Sequence, residues 1–222
     1  MKTFTISATL ASILISTAHA STLQQRDLGL NAGDIHDAVI KWHDDTEAVS
    51  AFLNSAADIV NQALNNGQDS IDITSIANTA FGRETDEPNQ KHTIELNFCP
   101  HLDTIGCNPD QLGNGVIDGA NATLITDGTF ISVVNALQTL SSAPAGTSAQ
   151  LAKAQLDLIN NGNGQTGGRC QAVLPAIDLY FQQVNIGLIM QNGDRSLSGV
   201  HPVPPSACGS GGVPQPSVAV TL

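Results

Sequence analysis

Histidines and carboxylates at helical spacing are the residues of this chain with chemistry to offer. His36 and His43 are seven residues apart, and Glu47 follows His43 by four. On a helix, positions three, four and seven apart share a face, so His43 and Glu47 point the same way. His92 and Glu95 are three apart in a second stretch. Imidazole and carboxylate offered by two helices can hold a divalent metal inside a bundle, as in ferritin-like carboxylate proteins. His43, Glu47, His92 and Glu95 are therefore the candidate metal ligands. The fit is incomplete, because ferritin-like sites want Glu-x-x-His twice. Here the nearest string is reversed, His92-Thr93-Ile94-Glu95, and the complementary pair is missing.

Other chemistries lack their parts. The string Cys208-Gly209-Ser210-Gly211-Gly212 imitates part of a nucleophile elbow but sits in a Pro/Gly tail with no strand before it. Gly162-Asn163-Gly164 and Gly167-Gly168 imitate a phosphate loop, but no strand precedes them and no P-loop lysine follows. No catalytic motif emerges, and no cofactor is expected.

The elements that position these residues read as helices. Ile35, Val39 and Trp42, then Val49, Phe52, Leu53, Ala56, Ile59, Val60 and Ala63, make an apolar stripe over Asp34–Asn65. That is one long helix, or two broken near Asp44-Asp45. A shorter helix is predicted for Ile71–Phe81, stopped by Gly82. Pro88 after Glu84-Thr85-Asp86-Glu87 marks the first turn of another. Cys99 to Ala120, rich in Gly, Asn, Asp and Pro, reads as loop. Asp127 starts a helix with Phe130, Val133, Val134, Leu137 and Leu140 inward. Ser148 caps the next, with Leu151, Ala154, Leu158 and Ile159 inward. Residues 160–168 read as a flexible glycine connector. The last helix runs from Arg169 to Met190, with Pro175 in its first turn or kinking it. The fold class expected is all-α: an antiparallel bundle of five or six amphipathic helices.

The ends of the chain set its compartment. Residues 1–20 have a positive residue at Lys2, an apolar stretch from Ile6 to Ile15, and a small-x-small end at Ala18-His19-Ala20. That is a signal peptide, too short to span a bilayer. No later segment is apolar for that length, so no membrane span is expected. Residues 21–33 form a polar leader, 34–190 the helical domain, and 191–222 a Pro/Gly-rich tail. In an oxidising compartment the four cysteines are expected as disulfides, Cys99–Cys107 and Cys170–Cys208, the second tethering the tail. The sequon Asn121-Ala122-Thr123 makes Asn121 a glycosylation site.

Composition excludes whole classes of function. Lys plus Arg is 8 and Asp plus Glu is 20, a formal net charge of −12. Phosphate backbones and anionic membranes select clustered cations, so neither nucleic acid nor a membrane surface is an expected partner. Aromatics are only 4% of residues, so the core is aliphatic and carbohydrate stacking platforms are scarce.

Three segments carry a family resemblance. Asp45-Thr46-Glu47-Ala48-Val49-Ser50-Ala51-Phe52-Leu53, Asp127-Gly128-Thr129-Phe130, and Arg169-Cys170 with Val173 to Phe181 resemble a group of small secreted helical proteins of filamentous ascomycete fungi. The resemblance spans about Val39 to Cys208 and implies a signal peptide, a helical body and a late cysteine paired with Cys170. Its members are candidate effector-like proteins, so it implies a non-catalytic role outside the cell, as an effector or a surface component. The partner would be an extracellular protein or the cell wall. Two further readings stand beside it. One is a binder of small apolar ligands in a cavity between helices. The other is a metal-binding enzyme of ferritin-like type.

Overall fold

The computed structural model describes residues 31–98, 114–163 and 166–209. The signal peptide, most of the leader, the Cys99–Cys107 pair and the end of the tail lie outside the described residues.

The described chain is mostly helical with a two-stranded sheet. In order it runs α1 (Ala32–Asn65), β1 (Ser70–Ile71), α2 (Thr74–Phe98), α3 (Asn114–Asn121), α4 (Thr129–Ser141), β2 (Thr147–Ser148), α5 (Ala149–Asn161) and α6 (Leu174–Asn192). Strands β1 and β2 pair antiparallel, Ser70 with Ser148 and Ile71 with Thr147. No strand was expected at these positions. The pairing fastens the α1–α2 turn to the α4–α5 turn, a link between turns that local periodicity does not reveal.

Helix α1 is continuous through Asp44-Asp45. Its 34 residues extend about 50 Å. It packs most extensively on α2, running antiparallel to it. Trp42 meets Glu87, and Asn31 meets Asn97 near the opposite end.

Helix α2 corrects two expectations. Gly82 does not stop it, and Pro88 lies in its interior. Gly82 and Pro88 are both exposed, so the missing side chain and the pyrrolidine ring face solvent while the helix's other face stays packed. Tertiary packing overrides the local breaker signals. Part of the predicted loop is also helical, as α3. A π-helical turn, Ala122–Thr126, follows it, with Leu124 buried.

The core joins the whole described molecule. It contains Ile35, Val39, Trp42, Leu53, Ile94, Leu137, Val173, Ile177, Tyr180 and Phe181, all nearly or wholly buried. Each large apolar side chain so buried contributes roughly 1.5–3 kcal/mol against leaving it in water. The stripe of α5 is phased differently from its sequence reading. Ala149, Ala152, Leu156 and Ile159 face inward, while Leu151 is 48% exposed and Ala154 is exposed. Two overlapping sets of small and branched residues three and four apart fit that helix, and packing selects one.

Where the connector is described, at residues 160–163 and 166–168, two backbone segments cross closely. Gly162 and Gly167 form an antiparallel bridge. A Cβ on Gly168 would overlap the backbone nitrogens of Asn161 and Gly162. These glycines are there because two backbone segments pass at contact distance. The chain then enters a π-helical turn, Arg169–Val173, and continues as α6 with Pro175 in its first turn. Arg169–Asn192 is long and apolar enough to cross a membrane by length and composition, contrary to the sequence reading. In the structure 61% of its most apolar window is buried, as a core helix would be.

Candidate functional site: a buried ionic junction

One face of α2 carries its charges inward. Glu84, Glu87, Lys91 and Glu95 recur at steps of three and four, in phase with Ala77, Ala80 and Ile94. Glu84 and Glu87 are wholly buried and Glu95 is 8% exposed. Opposite them α1 contributes Trp42, Asp45 and Thr46, all buried. The π-helical turn before α6 contributes Arg169, whose side chain is fully buried.

Arg169 is the hub. Its Nη1 donates to Glu84 Oε2 at 2.5 Å, and its Nη2 donates to the Thr46 carbonyl at 3.4 Å. Nη2 also lies 3.6 Å from Glu87 Oε1, an ion-pair distance without a hydrogen bond. Trp42 Nε1 donates to Glu87 Oε2 at 2.9 Å. The Trp42 ring packs against Tyr180 and Phe181, with centroids 5.4 and 5.8 Å apart. Such tilted and edge-on contacts suit aromatic quadrupoles. Two flanking pairs extend the junction. The half-exposed Arg83 donates to the buried Asp45 at 3.1 Å. Tyr180 Oη donates to Glu95 Oε1 at 2.7 Å, where Lys91 Nζ also lies at 2.7 Å.

Burial dominates the electrostatics. It pushes the Glu84 carboxyl above its ordinary range, against the opposing pull of Arg169. Glu87 is pushed well above it, first by burial and then by the neighbouring charge of Glu84. Asp45 is raised by burial, with Arg83 opposing. The Tyr180 hydroxyl is raised by burial and by Glu95, so it stays protonated and donates. Two nearby acids with unequal pressure to hold a proton is a pattern catalysis can use.

Access decides against that use. Glu84, Glu87 and Arg169 are each 0% exposed. The cavity beside Glu87, lined also by Trp42, Pro88, Lys91, Leu124, Ile125 and Phe130, has a volume of about 10 Å³. That is room for a single water. A drug-sized ligand site needs roughly 300 Å³ or more. Larger open grooves lie outside, one of about 410 Å³ lined by Asn78, Thr79, Gly82, Arg83, Thr85 and Asp86. Their lining includes none of the three buried ions.

The predicted metal ligands are distributed over two environments. His43 and Glu47 come together on α1 with Asp44, with ligand-capable atoms within 4.8 Å of one another on the solvent side. His92 is exposed on α2, and Glu95 is turned into the core toward Tyr180 and Lys91. Neither belongs to the His43 group among the described residues. Asn121, the sequon residue, ends α3 and is half-buried, with its Oδ1 turned inward. The sequon hydroxyl of Thr123 donates to the Gly119 carbonyl at 3.1 Å.

The expected disulfide Cys170–Cys208 is formed. It ends an extended strap, residues 201–205, that runs along α1. His201 Nδ1 lies 2.7 Å from Asp178 Oδ1, and Ser206 is held by Asn54. The tail was expected to have almost no attachment besides the disulfide. It has several, because Thr46, Ser50 and Asn54 recur every four residues on one face of α1 and offer a row of side-chain hydrogen-bonding groups.

Comparison with family models, with curated proteins and with solved structures finds no match to this chain.

Proposed function

We propose that this is a secreted, non-catalytic protein that acts through its surface, as an effector-type interaction protein or a component at the cell surface. One observation supports this above others: the acids best arranged for proton chemistry, Glu84 and Glu87, are fully buried and face a counter-ion rather than a cleft. A sealed arginine–carboxylate junction braces three helical segments of an antiparallel bundle. What remains for function is an acidic, weakly charged exterior suited to an extracellular medium.

On this reading the chain enters the secretory route through residues 1–20, is cleaved after Ala20, and carries a glycan at Asn121. The disulfide Cys170–Cys208 suits that oxidising route. The apolar-ligand alternative gains little support from the 10 Å³ cavity beside Trp42. The metal-enzyme alternative has only the solvent-side His43, Asp44 and Glu47 to draw on.

The test is complementation of a deletion strain. Glu84→Gln/Glu87→Gln is nearly isosteric and removes the acids, at a cost in stability because Arg169 stays buried without its counter-ions. It is expected to restore the phenotype as wild type does, while charge reversal at exposed Asp37, Asp44 and Glu47 abolishes restoration. A folded Glu84→Gln/Glu87→Gln protein that fails to complement would make those acids functional and overturn the proposal.

A further inference from the structure

We infer that the groove on α1 under the strap is a recognition site for polyproline II segments, occupied in cis by residues 201–205. Proline fixes φ near −65° and pushes the residue before it into extended backbone. In His201-Pro202-Val203-Pro204-Pro205 every residue is therefore a proline or precedes one. Pro205 has φ −68° and ψ 159°, which is polyproline II geometry. Pro202 and Pro205 are buried against the body.

The groove reads backbone atoms. Thr46 Oγ1 accepts from the Val203 N–H at 3.2 Å, and Ser50 Oγ donates to the Val203 carbonyl at 2.5 Å. Asn54 Oδ1 accepts from the Ser206 N–H at 2.8 Å. The spacings match. From Val203 to Ser206 a polyproline II chain advances about 9 Å, at 3.1 Å per residue. From the midpoint of Thr46 and Ser50 to Asn54 an α-helix also advances about 9 Å, at 1.5 Å per residue. Donors and acceptors on one helix face thus keep step with the backbone of the extended chain. A proline-rich segment with non-proline residues three apart, at the places of Val203 and Ser206, presents the same N–H and carbonyl groups, so the partner class is an extended polypeptide with prolines interleaved in that spacing.

The resident strap competes with such a partner. It is anchored at His201–Asp178 and at Cys170–Cys208, which gives it a high effective concentration over its own groove. It acts as an autoinhibitory segment, and a partner binds only where the strap has lifted. This names a partner class for the surface reading and rests on it for biological meaning. Peptide binding itself succeeds or fails independently of any phenotype.

The experiment uses the full chain with the strap released, as Cys170→Ala/Cys208→Ala/Pro202→Gly/Pro205→Gly. The probe is a fluorescent peptide of the native sequence Gly199–Ala207, read by anisotropy. The released chain is expected to bind the peptide and the oxidised wild type to show no binding. Adding Thr46→Val and Ser50→Ala should weaken binding about tenfold or more, since each removes one hydrogen bond. A peptide with its prolines replaced by alanine should bind more weakly. No binding to a released chain that is folded by circular dichroism overturns the inference. So does strap exchange between copies, seen as a concentration-dependent dimer that ignores the peptide. If the released chain does not fold, limited proteolysis of disulfide-intact variants decides. Pro202→Gly/Pro205→Gly should speed cleavage between Ser198 and Cys208 about tenfold, while Val203→Thr leaves it unchanged. Equal rates for both variants overturn the inference.

Discussion

Asp44 and Asp45 are neighbours in sequence and opposites in environment. Asp44 is exposed and joins His43 and Glu47 in an open group on the solvent side of α1. Asp45 is 0% exposed and meets Arg83 and Gln90 at the edge of the ionic junction. One residue turns the helix by about 100°, and that rotation separates two acidic groups of unlike meaning. On the outer face the carboxylates keep their hydration, and Asp44 Oδ1 lies 3.5 Å from His43 Nδ1. On the inner face burial presses the carboxyls toward the neutral form and donors oppose it on one oxygen of each glutamate, Glu84 Oε1 and Glu87 Oε1 having no hydrogen bond. The outer group has the residue types that suggest chemistry. The inner group has the geometry, and its geometry is structural.

The largest expected effect comes from the hub. Arg169→Met leaves Glu84 and Glu87 buried without their guanidinium and should cost about 3–5 kcal/mol in urea unfolding. Pairing it with Glu84→Leu should recover much of that loss, because removing both partners avoids a stranded buried charge. If the single variant is as stable as wild type, the junction carries no weight.

Next is the disulfide beside the hub. Breaking Cys170–Cys208, separated by 38 residues, should cost up to about 4 kcal/mol in the chain-entropy model. The strap should loosen and be cleaved faster, yet its hydrogen bonds to Thr46, Ser50 and Asn54 should slow cleavage relative to an unattached tail. Truncating those three side chains to alanine in the reduced protein should remove the remaining protection.

A smaller effect separates the two aspartates directly. Asp45→Ala removes the buried partner of the half-exposed Arg83, while Gln90 keeps Asp86, and should cost about 1 kcal/mol. Asp44→Ala, like His43→Ala, should leave the unfolding midpoint unchanged, as surface substitutions usually do. Equal losses at both positions would erase the distinction between inner and outer groups.

Much of the helical fold was legible in the sequence. The stripe of α1 apart from the exposed Ile59, the stripe of α4, and Pro175 at the start of α6 follow from apolar spacing and proline's missing N–H. The expected pairing of Cys170 with Cys208 is formed. What escaped was the long α2 and, with it, the junction. Gly82 and Pro88 carried stop signals, so Glu84 and Glu87 read as the acidic first turn of a new helix. A usable signal was present: Ile73, Ala77, Ala80, Glu84, Glu87, Lys91 and Glu95 keep one helical phase across both breakers. Hydrophobic periodicity discards it because the later members are charged. Arg169 was equally hidden, since nothing local tells a buried arginine from an exposed one. Its placement depends on the close crossing at Gly162, Gly167 and Gly168, which composition alone presents as a linker. Thr46, Ser50 and Asn54 had a visible four-residue spacing, but the segment they hold lies about 150 residues later in the chain.

The pH dependence of stability tests the sealed junction most directly. Burial raises Asp45, Glu84 and Glu87 in the folded state. Between their ordinary range and their raised values the folded chain binds more protons than the unfolded chain, so stability falls as pH rises through that window. Asp86 acts oppositely. Lys41 holds it below the ordinary carboxylate range, so its contribution is lost only on stronger acidification. Urea midpoints should therefore decline in wild type as pH rises above the ordinary carboxylate range, and the decline should flatten in Glu84→Gln/Glu87→Gln. A wild-type protein whose stability rises over that range, or a variant with the same slope as wild type, would contradict the buried junction.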